Sequence, residues 1–305
     1  MKQIVILSGK GGTGKTTIAA AFAHLASQNP ETRAALVDAD VDAANLELAL
    51  SPQRIESNEF ISGQLAIIDP DICARCGRCE EVCRFDAVSS QNGDYIIDPI
   101  ACEGCAACKT QCPDEAIRME LQLSGHWYTS HSRYGPLFHA RLRPAQENSG
   151  KLVTELRQQA IKHAAEEDFP LVIVDGPPGI GCPVIAAISG IDLVVIVTEP
   201  SSAGIHDMKR ILSVALHFGI PVLLCINKAD LYQEGTRIIT DYCKEKDLSL
   251  IGYIPFDSTV TEAMIQGNPI TAYAPNSTVS QVVRSVWRQI LAQLSTPIIN
   301  TSWVE

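Results

Sequence analysis

The chain has 305 residues, 46% of them hydrophobic, enough apolar material for one large domain or two smaller ones with a buried core. Its formal net charge of −11 and its lack of a Lys/Arg-rich run exclude a nucleic-acid-binding surface, because phosphate contacts need clustered basic residues. No apolar stretch approaches the ~18 residues of a membrane span, and the first apolar run is too short for a signal peptide, so a cytoplasmic protein is predicted.

A glycine-rich loop follows the first predicted strand. Residues 4–7 form an apolar run typical of a buried strand, and an alanine-rich helix is predicted from Lys15 to Ser27. Between them, residues 9–16 read GKGGTGKT, which fits the pattern GxxxxGK[ST]. In such a loop backbone N–H groups bind phosphate oxygens, Lys15 reaches the β- and γ-phosphates, and Thr16 offers its hydroxyl to Mg²⁺. The predicted phosphate-binding residues are Gly11, Gly12, Thr13, Gly14, Lys15, Thr16 and Thr17.

Further apolar runs alternate with helical patterns along the chain, and each run ends at a polar residue. They are residues 34–37, 171–174, 193–197 and 222–226. Continuous apolar strands separated by helices are typical of parallel sheets that helices cover on both faces. The sequence therefore predicts an α/β fold with a doubly wound, mostly parallel sheet.

Residues 60–122 interrupt this alternation. They contain eight of the eleven cysteines, and by count residues 61–122 hold 11 Asp or Glu against 5 Lys or Arg. Residues 67–88 align without gaps to residues 96–117, an offset of 29 that keeps every cysteine. We predict a small, duplicated α+β domain over 60–122, inserted into a discontinuous domain of residues 1–59 and 123–305.

The sequence KGGTGKTT, residues 10–17, resembles the deviant Walker A motif of the MinD, ParA and nitrogenase iron protein ATPases. The resemblance covers nearly all of the chain outside the insertion. It implies a P-loop fold of the SIMIBI type that binds ATP or ADP with Mg²⁺ and hydrolyses ATP slowly without a partner. It also implies a homodimer that forms on ATP binding, in which Lys10 reaches the partner's phosphates.

Three aspartates match switch positions of this family. The sequence VDADVDAAN contains Asp38 and Asp40, and LVIVDGPPG ends its strand on Asp175. The resemblance implies that Asp40 orients or deprotonates the attacking water, as in-line attack on a γ-phosphate requires. It makes Asp38 a second-shell partner of Mg²⁺, and Asp175 a residue that holds Mg²⁺ through water.

Other positions match nucleotide contacts of the family. Gly179 is expected to offer its N–H to the γ-phosphate, and Asn227, at the end of a predicted strand, to recognise adenine. The segment from Pro255 to Asp257 is expected on the other side of the base. Asparagines at strand ends are also common as simple turn formers, so the role of Asn227 has two explanations.

The cysteine spacing resembles that of bacterial two-cluster ferredoxins. Each run reads CxxCxxCxxxC, in which three thiolates surround one [4Fe-4S] cluster and the fourth binds the other cluster. The resemblance implies one cluster on Cys73, Cys76, Cys79 and Cys112, and a second on Cys102, Cys105, Cys108 and Cys83. Zinc is the alternative metal, but four-ligand zinc sites would leave half of these cysteines unused.

The two cysteine runs differ at one position. Cys112 is followed by Pro113, as in the ferredoxin pattern, whereas Cys83 is followed by Arg84. An arginine there would raise the potential of the cluster that Cys83 binds or increase its exposure. The sequence therefore predicts two clusters that are not equivalent.

A ninth cysteine carries a separate hypothesis. Cys182 lies seven residues after Asp175, similar to the spacing of a cluster-binding cysteine in the nitrogenase iron protein. It is either a metal ligand shared across a dimer or a small buried residue at the start of a helix, and the second explanation is the simpler one.

Two segments after the insertion have ordinary structural explanations. Residues 125–142 gather histidines and aromatics that suit either a docking surface or a simple strand, and we favour the strand. Apolar residues at helical spacing over 279–294 indicate a last helix packed on the sheet. A membrane-binding helix, as in MinD, is the alternative that its low basic content disfavours.

Three functions are compatible with these features. The first is an ATPase that couples dimer switching to electron transfer from the two clusters to a redox or metalloprotein partner. The second is an ATPase for iron-sulfur cluster or metallocentre assembly. The third, a positioning ATPase with a redox sensor, needs a membrane or DNA surface that the net charge disfavours. Eight cysteines favour stably held clusters, so the first function leads.

Overall fold

A computed structural model of the chain describes residues 1–143 and 149–295. The strands in these residues are β1 (Lys2–Ser8), β2 (Ala34–Asp38), β3 (Gln53–Ile68), β4 (Val88–Gln91), β5 (Asp94–Ile97), β6 (Ile117–Ser132), β7 (Gly135–Leu142), β8 (Leu171–Pro178), β9 (Leu193–Thr198), β10 (Val222–Asn227) and β11 (Ser249–Ile254). The helices are α1 (Lys15–Ser27), α2 (Leu46–Leu50), α3 (Arg78–Glu81), α4 (Ala107–Gln111), α5 (Ser149–Glu166), α6 (Cys182–Ile188), α7 (Ser202–His217), α8 (Gln233–Glu245), α9 (Thr259–Ile265), α10 (Ile270–Tyr273) and α11 (Thr278–Ser295).

The chain divides into two compact units. The first unit comprises Met1–Ser57, Trp127–Arg141 and Ser149–Glu305, and the second comprises Asn58–His126 and Leu142–Asn148. Strand β3 passes from the first unit into the second, and β6 returns to the first, so the second unit is an insertion between β2 and β8.

The first unit contains a largely parallel sheet. The strand order is β11-β10-β9-β1-β8-β2-β7, and the order continues through β6 to β3. Strand β1 pairs in parallel with β8 and β9, β10 with β9 and β11, and β2 with β8 and β7. This is the α/β sheet that the apolar runs predict. The first residues of β3 are exposed and mostly polar, so the sequence contains no apolar run that would predict this long strand.

Helices cover both faces of the central strands. Ile4 and Ile6 of β1 belong to a buried cluster with α1 and α11, whereas Val5 and Leu7 are equally buried but lie outside it. Because successive side chains of a strand point to opposite faces, both faces of β1 are covered.

The helix predicted over Lys15–Ser27 is confirmed as α1, and the apolar residues near the chain's end lie on α11. The rings of Phe22 and Trp287 are 5.2 Å apart, so α11 packs against α1. Apolar residues of α11 also share a buried cluster with Ile4 of β1 and Ile251 of β11, as expected of a last helix packed on the sheet. Strand β7 confirms the simpler explanation of residues 137–142. Among the described residues no helix is long and apolar enough to cross a membrane.

The second unit is small and has an internal repeat. It contains the hairpin of β4 and β5 and the short helices α3 and α4. Its core consists of buried residues contributed by both halves of the repeat: Ala66, Cys79, Val88, Cys108 and Ile117. Cysteines therefore occupy the centre of this unit.

Candidate nucleotide site and cysteine cavities

The glycine loop lies between β1 and α1 in the conformation that the motif requires. Gly12 and Gly14 have φ angles of 79° and 90°, in the region that favours glycine. A Cβ on Gly14 would overlap the side-chain amide of Asn227, whose Nδ2 donates to the Thr13 carbonyl at 2.7 Å. Asn227 therefore holds the loop in this structure, whatever its contact with a base.

A cavity of about 800 Å³ opens over this loop. The predicted residues that line it are Gly11, Gly12, Thr13, Gly14, Lys15, Thr16, Thr17, Asp40, Asn227, Pro255 and Asp257. Phe256, within the segment expected beside the base, also lines the cavity and is 52% exposed. Aromatic faces suit stacking against a planar base.

Acidic side chains surround the buried Lys15. Its Nζ lies 3.0 Å from Asp175 Oδ1 and 3.9 Å from Asp40 Oδ2. The second oxygen of Asp175 is buried and has no hydrogen-bond partner among the described residues, and the same holds for Thr13 Oγ1. An unpaired buried carboxylate oxygen is costly, so this atom fits a site completed by a hydrated cation.

Asp38 and Asp175 are register partners on β2 and β8. Burial, together with the neighbouring Asp175 charge, raises the pKa of Asp38 to about 8, although the N–H groups of Leu46 and Asp40 donate to its oxygens and oppose the rise. Burial also raises the pKa of Asp40 against the opposing charge of Lys15. An elevated pKa makes Asp40 a better proton acceptor when ionised.

Binding of Mg²⁺ with ADP is expected to release up to about one proton at pH 7, because the cation favours the Asp38 carboxylate and lowers its pKa below 8. Affinity should therefore strengthen as the pH rises toward 8. Calorimetric titration in buffers of different ionisation enthalpy measures the released proton. Asp38→Asn should abolish the release and the exposed Asp42→Asn should keep it; equal release in both variants would assign the proton to another group.

Lys10 is held within its own chain. Its Nζ lies 2.5 Å from Glu199 Oε1 and 3.3 Å from Ser201 Oγ. Lys228 lies 3.2 Å from the other oxygen of Glu199 and donates to the carbonyl of Gly12 at 3.0 Å. These two lysines lower the pKa of Glu199 against its partial burial. The sequence reasoning missed Glu199, whose only signal is its place just after β9.

Gly179 follows β8 with a φ of 88°. Its N–H donates to the carbonyl of Ser8 at 3.0 Å. In this structure the group expected to bind a γ-phosphate is thus engaged with β1, and a phosphate contact would require the segment after Asp175 to move.

Polar side chains of β6 and β7 lie beside α2, the helix just after the Asp38–Asp40 segment. His139 of β7 is buried; its Nε2 lies 2.8 Å from Ser130 Oγ, and its Nδ1 lies 3.2 Å from Glu47 of α2 without forming a hydrogen bond. Burial lowers the pKa of His139 to about 4 despite the Glu47 carboxylate. Arg141 also pairs with Glu47. No sequence pattern predicts that these residues lie close together in the fold.

The eight cysteines of the runs line two separate cavities of the second unit. One, of about 20 Å³, is lined by Cys73, Cys76, Cys79 and Cys112 and is called the Cys73 cavity. The other, also of about 20 Å³, is lined by Cys102, Cys105, Cys108 and Cys83 and is called the Cys102 cavity. The fourth cysteine of each run thus lines the same cavity as the first three cysteines of the other run.

Backbone contacts repeat around the two cavities. The N–H groups of Ala87 and Ala116 donate to the sulfurs of Cys83 and Cys112 at 3.4 and 3.3 Å. No group of three or more His, Cys, Asp or Glu among the described residues is placed to hold a single metal ion. Four cysteine sulfurs around a cavity are a ligand set that binds either an iron-sulfur cluster or a zinc ion.

The other three cysteines lie in the first unit. Cys225 and Cys243 are buried, and burial raises the pKa of their thiols to about 12 and about 11. Cys182 is exposed at the first residue of α6, which makes the expectation of a buried helix-start residue wrong. Exposure is compatible with ligation but does not show it.

The strand, glycine loop, helix and acidic groups define a P-loop nucleotide-binding protein. The family model "CobQ/CobB/MinD/ParA nucleotide binding domain" matches residues 4–270. The chain belongs to this family and is an ATP-binding ATPase of the MinD/ParA type.

Individual proteins agree with this assignment. The Methanocaldococcus jannaschii protein MJ0578 is 34% identical over 288 residues, which are 94% of this chain and 96% of that protein. An iron-sulfur cluster carrier protein of Aquifex aeolicus is 28% identical over 145 residues, 44% of this chain and 40% of that protein. The solved structure of MinD with Mg-ADP from Pyrococcus horikoshii has a TM-score of 0.58 at 19% identity, over 97% of this chain and 99% of that one.

Proposed function

We propose that this ATPase carries two [4Fe-4S] clusters and couples its nucleotide state to electron transfer toward a redox or metalloprotein partner. The observation that carries the proposal is the pair of four-cysteine cavities in an insertion within a P-loop ATPase. Bound clusters would supply one-electron carriers. Residues 60–122 are the proposed ferredoxin-like domain.

The nucleotide is proposed to enter the 800 Å³ cavity. Lys15 would exchange part of its contact with Asp175 for the β- and γ-phosphates, and Thr16 with Asp175 would hold Mg²⁺. Asp40 would then orient the attacking water and accept its proton. Hydrolysis is proposed to be slow until a partner completes the site.

Dimerisation on ATP binding is proposed to use Lys10. In the single chain Lys10 is paired with Glu199, so reaching a partner's phosphates requires that this ion pair opens. A triphosphate offers Lys10 more negative charge than one carboxylate does. ATP would therefore favour the arrangement in which Lys10 leaves Glu199, which is the differential binding that a switch needs.

The chain supplies a direct route from nucleotide to cysteines. Asp38 and Asp40 precede α2, and only Ser51 and Pro52 separate α2 from β3, the strand that enters the second unit. Contacts of α2 with His139 and Arg141 connect it to β7. A change at Asp40 would therefore be transmitted to β3, the strand that enters the second unit, and to β7.

Reciprocity provides a test. If nucleotide changes the clusters, then cluster reduction must change nucleotide affinity by the same factor. Affinity for a non-hydrolysable ATP analogue should differ at least about tenfold between oxidised and dithionite-reduced protein. The double variant Cys79→Ser/Cys108→Ser is the control and should show no redox dependence. Equal affinities in both redox states of the reconstituted wild type would refute coupling.

Cluster or metallocentre assembly is the second candidate. It is favoured by the similarity to the Aquifex aeolicus carrier protein and by the exposed Cys182. A positioning ATPase is less well supported, because the apolar residues of α11 are buried in the core and the net charge is −11.

Cys182→Ala separates the two candidates. For electron transfer from the two cavities, we expect unchanged iron content and ATP turnover, because Cys182 lines neither cavity. For assembly through a shared site, the variant should lose cluster delivery to an apo-ferredoxin acceptor. Iron analysis, ATP turnover and a transfer assay on both proteins measure this, and lost delivery at full cavity iron would favour the carrier.

A further inference from the structure

The two cysteine cavities have matched backbones and burial. Arg75 and Gly104, at equivalent positions of the repeat, have φ angles of 59° and 63°. Cys79 and Cys108, also equivalent, are 8% and 9% exposed. Since fold and burial are alike, side chains that differ between the repeats are left to distinguish the cavities.

Charge is such a difference. The charged residues lining the Cys73 cavity are Arg78 and Asp114, which balance one another. Among the described residues that line the Cys102 cavity, Glu103 is the only charged one apart from the cysteines, and its charge is negative. Arg75 is exposed and paired with Asp94 at 2.7 Å, so this pair adds no net charge beside the Cys73 cavity.

Arg78 has no counterpart in the second repeat, where Ala107 occupies its position. Arg84, which the sequence suggested would distinguish the clusters, lines neither cavity. The structure therefore moves the distinguishing arginine from Arg84, after the last cysteine of the first run, to Arg78, which lies inside the same run and lines the Cys73 cavity.

Reduction of a cluster adds one negative charge to its cavity. A nearby guanidinium stabilises that charge, and a nearby carboxylate opposes it. Burial is matched, so the charges of the lining residues decide the order. The Cys73 cavity, where Arg78 balances Asp114, should take up the first electron more readily than the Cys102 cavity, where Glu103 is unbalanced.

This inference rests on the proposed function. We infer that the cluster in the Cys73 cavity accepts the first electron from a low-potential one-electron donor, and that Arg78 sets this order. Arg78 acts through its positive charge, which stabilises the reduced form of the cluster in the Cys73 cavity; it is a positioning residue and not a cluster ligand. The cluster in the Cys102 cavity is then reduced only at a lower potential.

The test is an anaerobic redox titration of the reconstituted full chain, followed by EPR at low ionic strength and without nucleotide. Wild type should show two midpoint potentials. Arg78→Gln should lower the higher midpoint potential by ~30 mV. For a one-electron couple this is an about threefold fall in the ratio of reduced to oxidised cluster at a fixed potential. Arg78→Lys should retain the wild-type value, and Arg84→Gln should leave both potentials unchanged.

Ala107→Arg supplies an independent reading, because it adds the same charge at the equivalent position of the other repeat. It should raise the lower potential and leave the higher one. A shift of the lower potential in Arg78→Gln, equal shifts in Arg78→Gln and Arg84→Gln, or an unmoved lower potential in Ala107→Arg would each overturn the inference.

The iron content of the protein distinguishes a failure of this inference from a failure of the proposed function. About eight irons per chain with unmoved potentials would refute the role of Arg78 and leave the proposed function standing. A wild-type chain that binds no iron after reconstitution would overturn the proposed function and this inference together.

Discussion

Alanine in place of Lys15 is expected to lower ATP turnover at least ~100-fold, the effect of removing one positioned donor from a developing negative charge. Lys15 is buried, and its Nζ is 3.0 Å from Asp175 and 3.9 Å from Asp40. Without it, the phosphates lose their buried cation and the acidic groups lose their counterion. Steady-state phosphate release at saturating Mg-ATP measures the loss.

Lys162→Ala is the matched control. Lys162 is 70% exposed on α5, and its replacement should leave turnover within about twofold of wild type, as surface charges usually contribute little. Removal of one partner of a buried ion pair is destabilising, so circular dichroism must first establish that the Lys15→Ala protein is folded. A folded Lys15→Ala protein with near-normal turnover would refute the assignment of the catalytic site.

Serine in place of Cys108 is expected to remove one of the two clusters, so the iron content should fall from about eight to about four per chain. Cys108 is nearly fully buried beside the Cys102 cavity, where a lost thiolate ligand is not replaced by water. Cys79→Ser should remove the other four irons. Iron and acid-labile sulfide analysis of anaerobically reconstituted protein provides the measurement.

Cys83→Ser tests the crossed arrangement of ligands. Cys83 belongs to the same run as Cys79 but lines the cavity of Cys108. The EPR spectrum of Cys83→Ser should therefore match that of Cys108→Ser and differ from that of Cys79→Ser. A match with Cys79→Ser would mean that each run holds its own metal, and would remove the structural basis of the two-cluster proposal.

Local patterns predicted the parts of the structure that depend on nearby residues. The boundaries of α1 and the glycine loop follow from residue types within one segment, and the cysteine repeat from spacing within each run. The contacts of Lys10 with Glu199 and of His139 with Glu47 do not follow, because each joins distant segments by a pairing that no periodicity encodes.

Two other features show the same limit. Strand β3 begins with exposed, mostly polar residues, so its pairing in the sheet overrides its weak pattern. The sequence pointed to Arg84 as the residue that makes the two clusters different, because it directly follows a cysteine. In the fold, Arg78 lines a cysteine cavity and Arg84 lines neither. Which arginine lies beside a cavity depends on how the loop turns, and the sequence does not specify that turn.

The central claim is that nucleotide state is coupled to the clusters. The most direct measurement is the pair of midpoint potentials of the wild-type chain, determined by EPR without nucleotide, with Mg-ADP and with a non-hydrolysable ATP analogue. We predict that the analogue shifts at least one potential by more than ~60 mV from its nucleotide-free value, about tenfold for a one-electron couple. Identical potentials in all three states, at full iron content and saturating nucleotide, would contradict the claim.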